Sequence, residues 1–327
     1  MRRVVSLLSI VLLVSLVVTQ PEAQEERKLP RIGILMSGSE ASSGLFLDAL
    51  RKGLAEVGIA EGTGVVLDIK YAEGRMDRLD PLAIDLVKAA PRLLFAGGDQ
   101  GSSALKRAAA GRLPIVAVTC DALAAGLVSN LGRPGENLTG ITCINADLAA
   151  KRVELMQEFA PSLSRLGVAL DPGDKRMVSE LRESERAGLL KSIAITALEV
   201  TKPDDIEGAL TLAVEKQVGG VIFVFDSMTF FHRVRLAKAA IQRRVPTAFN
   251  FRQYVDAGGL FSFGPNLADM YRQSARHILK VVKGEAPGEI PMEQPTHFEL
   301  VINLKTAKVH GIEVPPSLLA RADEVIE

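Results

Sequence analysis

The residues best suited to chemistry stand in short polar turns, each directly after an apolar run. They are Ser37-Gly38-Ser39, the stretch from Gly97-Gly98-Asp99-Gln100 to Ser103, Thr119-Cys120-Asp121, Asp171-Pro172-Gly173-Asp174, Asp226-Ser227 and Asn250-Phe251-Arg252. The chemistry they offer is recognition. Gly97 and Gly98 let the backbone approach a ligand, and Ser102 reads as the start of a helix. Free N–H groups and the helix dipole at such a start favour a carboxylate. The same residues serve equally as a plain turn and cap. Asp171 and Asp226 can accept from a ligand ammonium, or cap the helices that follow them. The expected ligand-binding set is Ser37, Ser39, Gly98, Asp99, Gln100, Ser102, Asp121, Asp171, Asp226, Ser227 and Asn250.

Bond-making chemistry has no comparable signature. His232, His277, His297 and His310 form no pair at helical i, i+4 spacing, so they read as ordinary surface or core histidines. There is no phosphate-binding loop, no G-x-G-x-x-G after the first apolar run and no G-x-S-x-G turn. Catalytic residues, metal and cofactor are therefore expected to be absent. Cys120 and Cys143 lack a Cys-x-x-Cys spacing and stand near strand ends. A disulfide and two independent buried thiols are both open to them.

The turns need elements that hold them at one edge, and the chain supplies an alternation of strand and helix. Arg31 to Met36 is an apolar strand, and Phe46, Leu50 and Leu54 recur at the helical spacing of four. Val65 to Lys70 and Arg92 to Ala96 are strands, Ser102 to Ala110 a helix, and Pro114 to Val118 a strand. A second series follows: helix Leu148–Phe159, strand Arg165–Leu170, helix Met177–Leu190, strand Ile193–Val200, a helix ending near Gln217, strand Val221–Phe225, helix Phe230–Arg243 and strand Val245–Phe249. Strands alternating with helices imply βαβ units in parallel sheets, and unbroken apolar strands imply sheets covered on both faces. Ligands of open parallel sheets sit beyond the carboxyl ends of the strands, where these turns fall.

Composition agrees with a folded globular protein. The 327 residues carry 39 Lys plus Arg against 39 Asp plus Glu, so nothing draws the chain to nucleic acid or an acidic membrane. The 47% apolar content argues against disorder. Two cysteines are too few for a disulfide scaffold. Arg2 and Arg3 precede an apolar run from Val4 to Val18, which fits the basic head and apolar core of a secretory signal over residues 1–23. The run is short for a spanning helix, which needs about 20 residues. Export to the periplasm follows as the expectation, with an uncleaved N-terminal anchor as the alternative.

Three stretches resemble one known family. They are Gly126-Leu127-Val128-Ser129-Asn130-Leu131-Gly132-Arg133-Pro134-Gly135-Glu136-Asn137-Leu138-Thr139-Gly140, the run from Pro291-Met292-Glu293-Gln294-Pro295 to Thr306-Ala307, and Pro315-Pro316-Ser317-Leu318-Leu319 onward to Ile326. Gly259-Leu260-Phe261-Ser262-Phe263-Gly264 is similar to the family's strand before its long helix. The family is the tryptophan/tyrosine-type group of periplasmic substrate-binding proteins of ABC importers. The resemblance runs from about Arg31 to the end. It departs at Asp121-Ala122, where the family usually has Asp-Pro, and at Gly135-Glu136-Asn137, where it has Gly-Gly-Asn.

The resemblance implies a type I periplasmic-binding fold: two doubly wound α/β lobes on a three-segment hinge. Lobe one would comprise 30–143 plus 255–283, and lobe two 147–250 plus 295–327. It implies a monomer that captures a small polar, amino-acid-like and possibly aromatic solute in the cleft and passes it to a membrane permease. Phe46, Phe230 and Tyr254 fall on apolar faces and read as core, with packing against a ligand as their other role. The lack of Trp weighs against a sugar site, where ring stacking is common. An exported sensor for a membrane receptor, or an exported enzyme using the same cleft, are the rival readings, and fold alone does not separate them.

Overall fold

Ile32, Ile34, Leu35 and Met36 are all buried along strand β1 (Arg31–Met36), as an apolar strand covered on both faces requires. The computed structural model describes residues 29–143 and 145–327; the proposed signal lies outside the described residues. Helix α1 (Glu40–Glu56) follows β1 and buries Phe46, Leu47, Leu50 and Leu54 on one stripe. Ser39 starts it, exchanging hydrogen bonds with Ser42 in a reciprocal cap. The series continues as β2 (Val66–Tyr71), α2 (Leu79–Lys88), β3 (Leu93–Gly97), α3 (Asp99–Ala109), β4 (Ile115–Thr119) and β5 (Leu138–Thr142). These strands form one wholly parallel sheet in the order β2-β1-β3-β4-β5, so all strand ends carrying the polar turns face one way.

The second series is α4 (Asn145–Phe159), β6 (Arg165–Leu170), α5 (Lys175–Lys191), β7 (Ala194–Glu199), α6 (Asp205–Glu215), β8 (Val221–Phe223), α7 (Ser227–Phe231), α8 (Arg233–Arg243), β9 (Thr247–Phe249), α9 (Arg252–Asp256) and β10 (Phe261–Pro265). The chain then runs through α10 (Leu267–Val282), β11 (Phe298–Asn303), α11 (Leu304–His310), α12 (Pro316–Leu319) and β12 (Glu324–Ile326). The second sheet has the order β12-β11-β10-β9-β8-β6-β7. It is parallel except where β11 runs against β10. Two α/β lobes therefore stand in one chain, as expected. Among the described residues no helix is long and apolar enough to cross a membrane.

Strand pairing corrects one boundary. Residues 255–265 were expected in lobe one, yet β10 pairs with β9 and β11 in the second sheet. Only α10 returns to the first lobe, where Met270, Tyr271, Ala275 and Ile278 are buried beside α1 and the first sheet. The second crossing is thus at Asn266, which caps α10 through Asp269 N, rather than between residues 250 and 255 as the expected lobe bounds had it. An apolar strand fits either sheet, and its sequence does not encode its partner. The third crossing follows α10, and Glu293 pairs beside β5 through Thr142 N and Gly140 O.

A buried charge cluster joins the crossings. Arg152 Nη2 donates to Asn145 O (2.7 Å) and Glu180 Oε1 (2.6 Å), and Nη1 donates to Phe263 O (3.1 Å). Arg152 and Glu180 are almost wholly buried, so each needs the other to offset its lost hydration.

Candidate ligand chamber between the lobes

The strand ends of the first sheet form the floor of a cavity. Met36, Ser37 and Gly38 leave β1, Gly97 and Gly98 leave β3, and Val118 and Cys120 belong to β4 and its exit. Ser42, Ser43 and Phe46 of α1 and Leu267 and Tyr271 of α10 make one wall. The second lobe supplies the opposite wall with Phe225, Ser227, Phe230 and Phe231. Together they bound a small cavity of about 50 Å³, partly open to solvent. Phe46 and Tyr271 stack at 5.2 Å between ring centroids, and Phe46 reaches Phe230 of the other lobe at 5.9 Å. The polar groups here are mainly hydroxyls. Burial raises the Tyr271 phenol and the Cys120 thiol well above their ordinary values, so both stay protonated.

Local backbone geometry sets the polar end. Gly98 has φ +96°, a region that L side chains rarely adopt, and this compresses the turn between β3 and α3 into one residue. A Cβ on Gly98 would come within 3.1 Å of Ser227 Oγ, so the Ser227 hydroxyl sits directly over this turn from the second lobe. A Cβ on Gly97 would overlap the Tyr271 hydroxyl, which explains a second glycine there.

Beyond the chamber, a charged cleft holds the lobes together. Gln100 Nε2 donates to Asp226 Oδ2 at 2.6 Å. Asp99 accepts from Cys120 N (3.0 Å) and faces Arg176 Nε at 3.6 Å. Arg176 also donates to Phe225 O and Asp174, both at 2.9 Å. Burial works against the Arg176 charge, but Asp99 and Asp174 outweigh it and hold the guanidinium above its usual range. Burial pushes the Asp226 carboxyl upward, against the downward pull of Gln100 and the α7 backbone.

The expected site residues divide among these surroundings. Ser37, Gly98 and Ser227 line the chamber. Asp99, Gln100, Asp171 and Asp226 line the outer cleft instead. Asp226 caps α7 through Met228 N (2.7 Å) and Thr229 N (3.1 Å). Asp171 accepts from Gly173 N within its turn, and Asp174 is the residue that caps α5. Asp121 accepts from Ala124 N, and burial raises its pKa. Ser39 caps α1. Ser102 does not start its helix: α3 begins at Asp99, and the buried Ser102 Oγ donates back to Gly98 O at 2.7 Å. Asn250 is fully buried beside Glu180, away from the chamber.

Phe46 and Phe230 line the chamber, whereas Tyr254 lies in the core, stacked on Phe249 and bonded to Thr229. The aromatic run around Asp226-Ser227 was a usable signal for Phe225 and Phe231. Tyr271 had none, since only the return of α10 to lobe one brings it here. Cys120 and Cys143 are free and buried. Among the described residues no group of three or more His, Cys, Asp or Glu is placed to hold a metal.

A two-lobed cleft is shared by many proteins, and comparison decides which group this one joins. Residues 31–326 match the family model described as ABC transporter substrate binding protein. The chain belongs to that family. Such substrate-binding proteins act outside the cytoplasm with the permease of an ABC transporter. This binding protein is 21% identical over 286 residues to a tyrosine-binding protein of Clostridioides difficile (strain R20291), covering 87% of this chain and 81% of that one. It is similar to a crystal structure of a conserved domain protein from Vibrio cholerae, at 25% identity and TM-score 0.84, over 91% of this chain and 100% of the other. The structure of an ABC domain in complex with L-Trp, from Streptococcus pneumonia, matches at 23% identity and TM-score 0.84, with the same coverage.

Proposed function

We propose that this binding protein captures a small solute with an aromatic or similarly apolar body, and delivers it to the permease of an importer. The observation that carries this reading is the chamber: Phe46, Phe225, Phe230, Phe231 and Tyr271 surround a space roofed by one lobe and floored by the other. Such a wall rewards an apolar ring and offers a sugar few hydrogen-bond partners. The tyrosine-binding relative and the L-Trp-bound neighbour support an aromatic solute. Ser37, Gly98 and Ser227 form the polar end of the site in this reading, and Phe46, Phe230, Phe231 and Tyr271 its apolar wall.

Capture would proceed by hinge closure about the crossings near residues 144, 266 and 283–297. The open form takes solute at the strand ends of lobe one. Closing brings Ser227 and the α7 aromatics over it and forms the Gln100–Asp226 and Asp99–Arg176 contacts. Residues 1–23 would act as an export signal, and the mature protein would work as a periplasmic monomer. N-terminal sequencing of the exported protein tests the signal.

A thermal-shift screen of aromatic acids, aromatic amino acids and sugars tests the capture. A true ligand at a hundredfold excess over Kd adds about 2.7 kcal/mol of stability. Stabilisation by sugars alone, with no response to any aromatic compound, overturns the aromatic reading.

A further inference from the structure

We infer that Cys120 and Cys143 form a disulfide in the exported protein, tying the floor of the chamber to the first crossing between the lobes. This rests on the export reading, since a disulfide persists in an oxidising compartment. The ladder between β4 and β5 sets the two thiols face to face. Thr119 pairs with Thr142, and Cys143 N donates to Thr119 O at 3.1 Å, so the ladder extends one step to Cys120 and Cys143. Both side chains point to the same face of the first sheet. Val116, Val118, Cys120, Ile141 and Cys143 pack in one apolar cluster, whereas Ala117 packs in the cluster on the other face. Facing residues on adjacent strands stand about 4.8 Å apart, within the roughly 4.4–6.8 Å between Cα atoms that a disulfide spans. The chain has no other cysteine, so no alternative pairing competes.

Position gives the bond a function. Cys120 lines the chamber, and its N–H holds Asp99, which faces Arg176 of the second lobe. Cys143 directly follows β5, beside the crossing near residue 144. A bond between them braces the chamber floor against that crossing. It forms by thiol–disulfide exchange with a disulfide donor. Cys120, which borders the chamber, attacks as the thiolate; the donor's S–S bond breaks, and one donor sulfur leaves and takes up the proton that Cys120 gave. The Cys143 sulfur, losing its own proton, then attacks the Cys120 sulfur, and the second donor sulfur leaves as a thiol. Two protein thiols are oxidised, and one donor disulfide is reduced to two thiols. Burial and the neighbouring Cys143 thiol raise the Cys120 thiol, which favours exchange before the lobes close. The finished bond is uncharged and lies in an apolar cluster, where the same burial shields it from reductants.

Thiol alkylation of the full-length chain, expressed with its own N-terminus in a bacterium with an oxidising periplasm, tests this. The periplasmic protein is treated with iodoacetamide in denaturant and its intact mass measured. No adduct is expected without reductant, and two after dithiothreitol. Reduction in denaturant followed by refolding is expected to lower the melting temperature by about 5 °C, as for losing the closure of a loop of this length. Oxidised glutathione should restore it, and the Cys120→Ser, Cys143→Ser double variant should respond to neither reagent. Adducts on the periplasmic protein without reductant overturn the inference, whether or not the double variant folds. A disulfide whose reduction leaves the melting temperature unchanged overturns the brace. Protein retained in the cytoplasm overturns the export reading; the purified chain is then treated with oxidised glutathione, where loss of both thiols sustains the pair and their persistence overturns it.

Discussion

The inner chamber and the outer cleft are built from adjacent residues of the same turns, yet they are opposite in character. Gly98 lines the chamber while Asp99 and Gln100 line the cleft; Ser227 lines the chamber while Asp226 lines the cleft. The chamber side carries aromatic rings and hydroxyls, and the cleft side carries the Gln100–Asp226 hydrogen bond and the Asp99–Arg176 ion pair across the lobes. A one-residue step at each strand end thus separates two jobs. In the proposed capture, charged groups fasten the lobes on closing, and hydroxyls and aromatic rings meet the solute. Charges placed in the chamber would pay desolvation with every closure.

Removing the charged fastener tests this division most severely. Arg176→Ala leaves Asp99 buried without its partner in the closed form, at a cost of about 3–5 kcal/mol. Because opening rehydrates Asp99, solute affinity should fall more than the denaturant midpoint does. Equal losses in calorimetric affinity and in urea unfolding would make the pair a fold element rather than a fastener. On the chamber side, Phe230→Ala should lower affinity by about 1.5–3 kcal/mol, the value of burying such a ring. Phe230 is partly buried and packs on Phe225 and Tyr254, so the melting temperature of the solute-free protein should fall as well, and the loss of affinity should exceed that loss of stability.

Smaller effects sharpen the comparison. Asp226 and Asp121 have carboxyls raised by burial, so the folded chain holds protons that the unfolded chain has released. Their stabilising contribution is complete in acid and is lost as pH rises through the raised pKa values. Asp226→Asn keeps a competent N-cap and removes that titration. The difference in stability between variant and parent, followed by urea melts from pH about 4 to neutral, should therefore widen in the variant's favour as pH rises. Least of all, Arg107→Ala breaks an exposed pair with Asp80 at the cleft rim and should change stability and affinity by no more than about 1 kcal/mol. A larger loss on titration would extend the fastening role to the rim.

Much of the fold was legible because it rests on local patterns. Leu50 and Leu54 on α1, and the apolar run of β1, announce their elements through spacing alone. Helix starts were less legible. Gly98 takes a left-handed turn that lets α3 begin three residues before Ser102, and φ values are not written in composition. The aspartates were ambiguous for a related reason: a carboxylate after a strand end can face a ligand or its own helix, and Asp226 faces its helix and Gln100. Asn250 stands at a strand end like the others, but Glu180 draws it inward.

By itself, the sequence determined the alternation of strands and helices, the two lobes and the edge on which the polar turns gather. These follow from side-chain periodicity and turn chemistry, which act over a few residues. Tertiary structure decided which sheet took β10, that α10 crosses back with Tyr271, and which turn residues face inward. Those outcomes depend on pairing between segments far apart in the chain. An apolar strand or a polar turn satisfies several partners equally well until packing selects one.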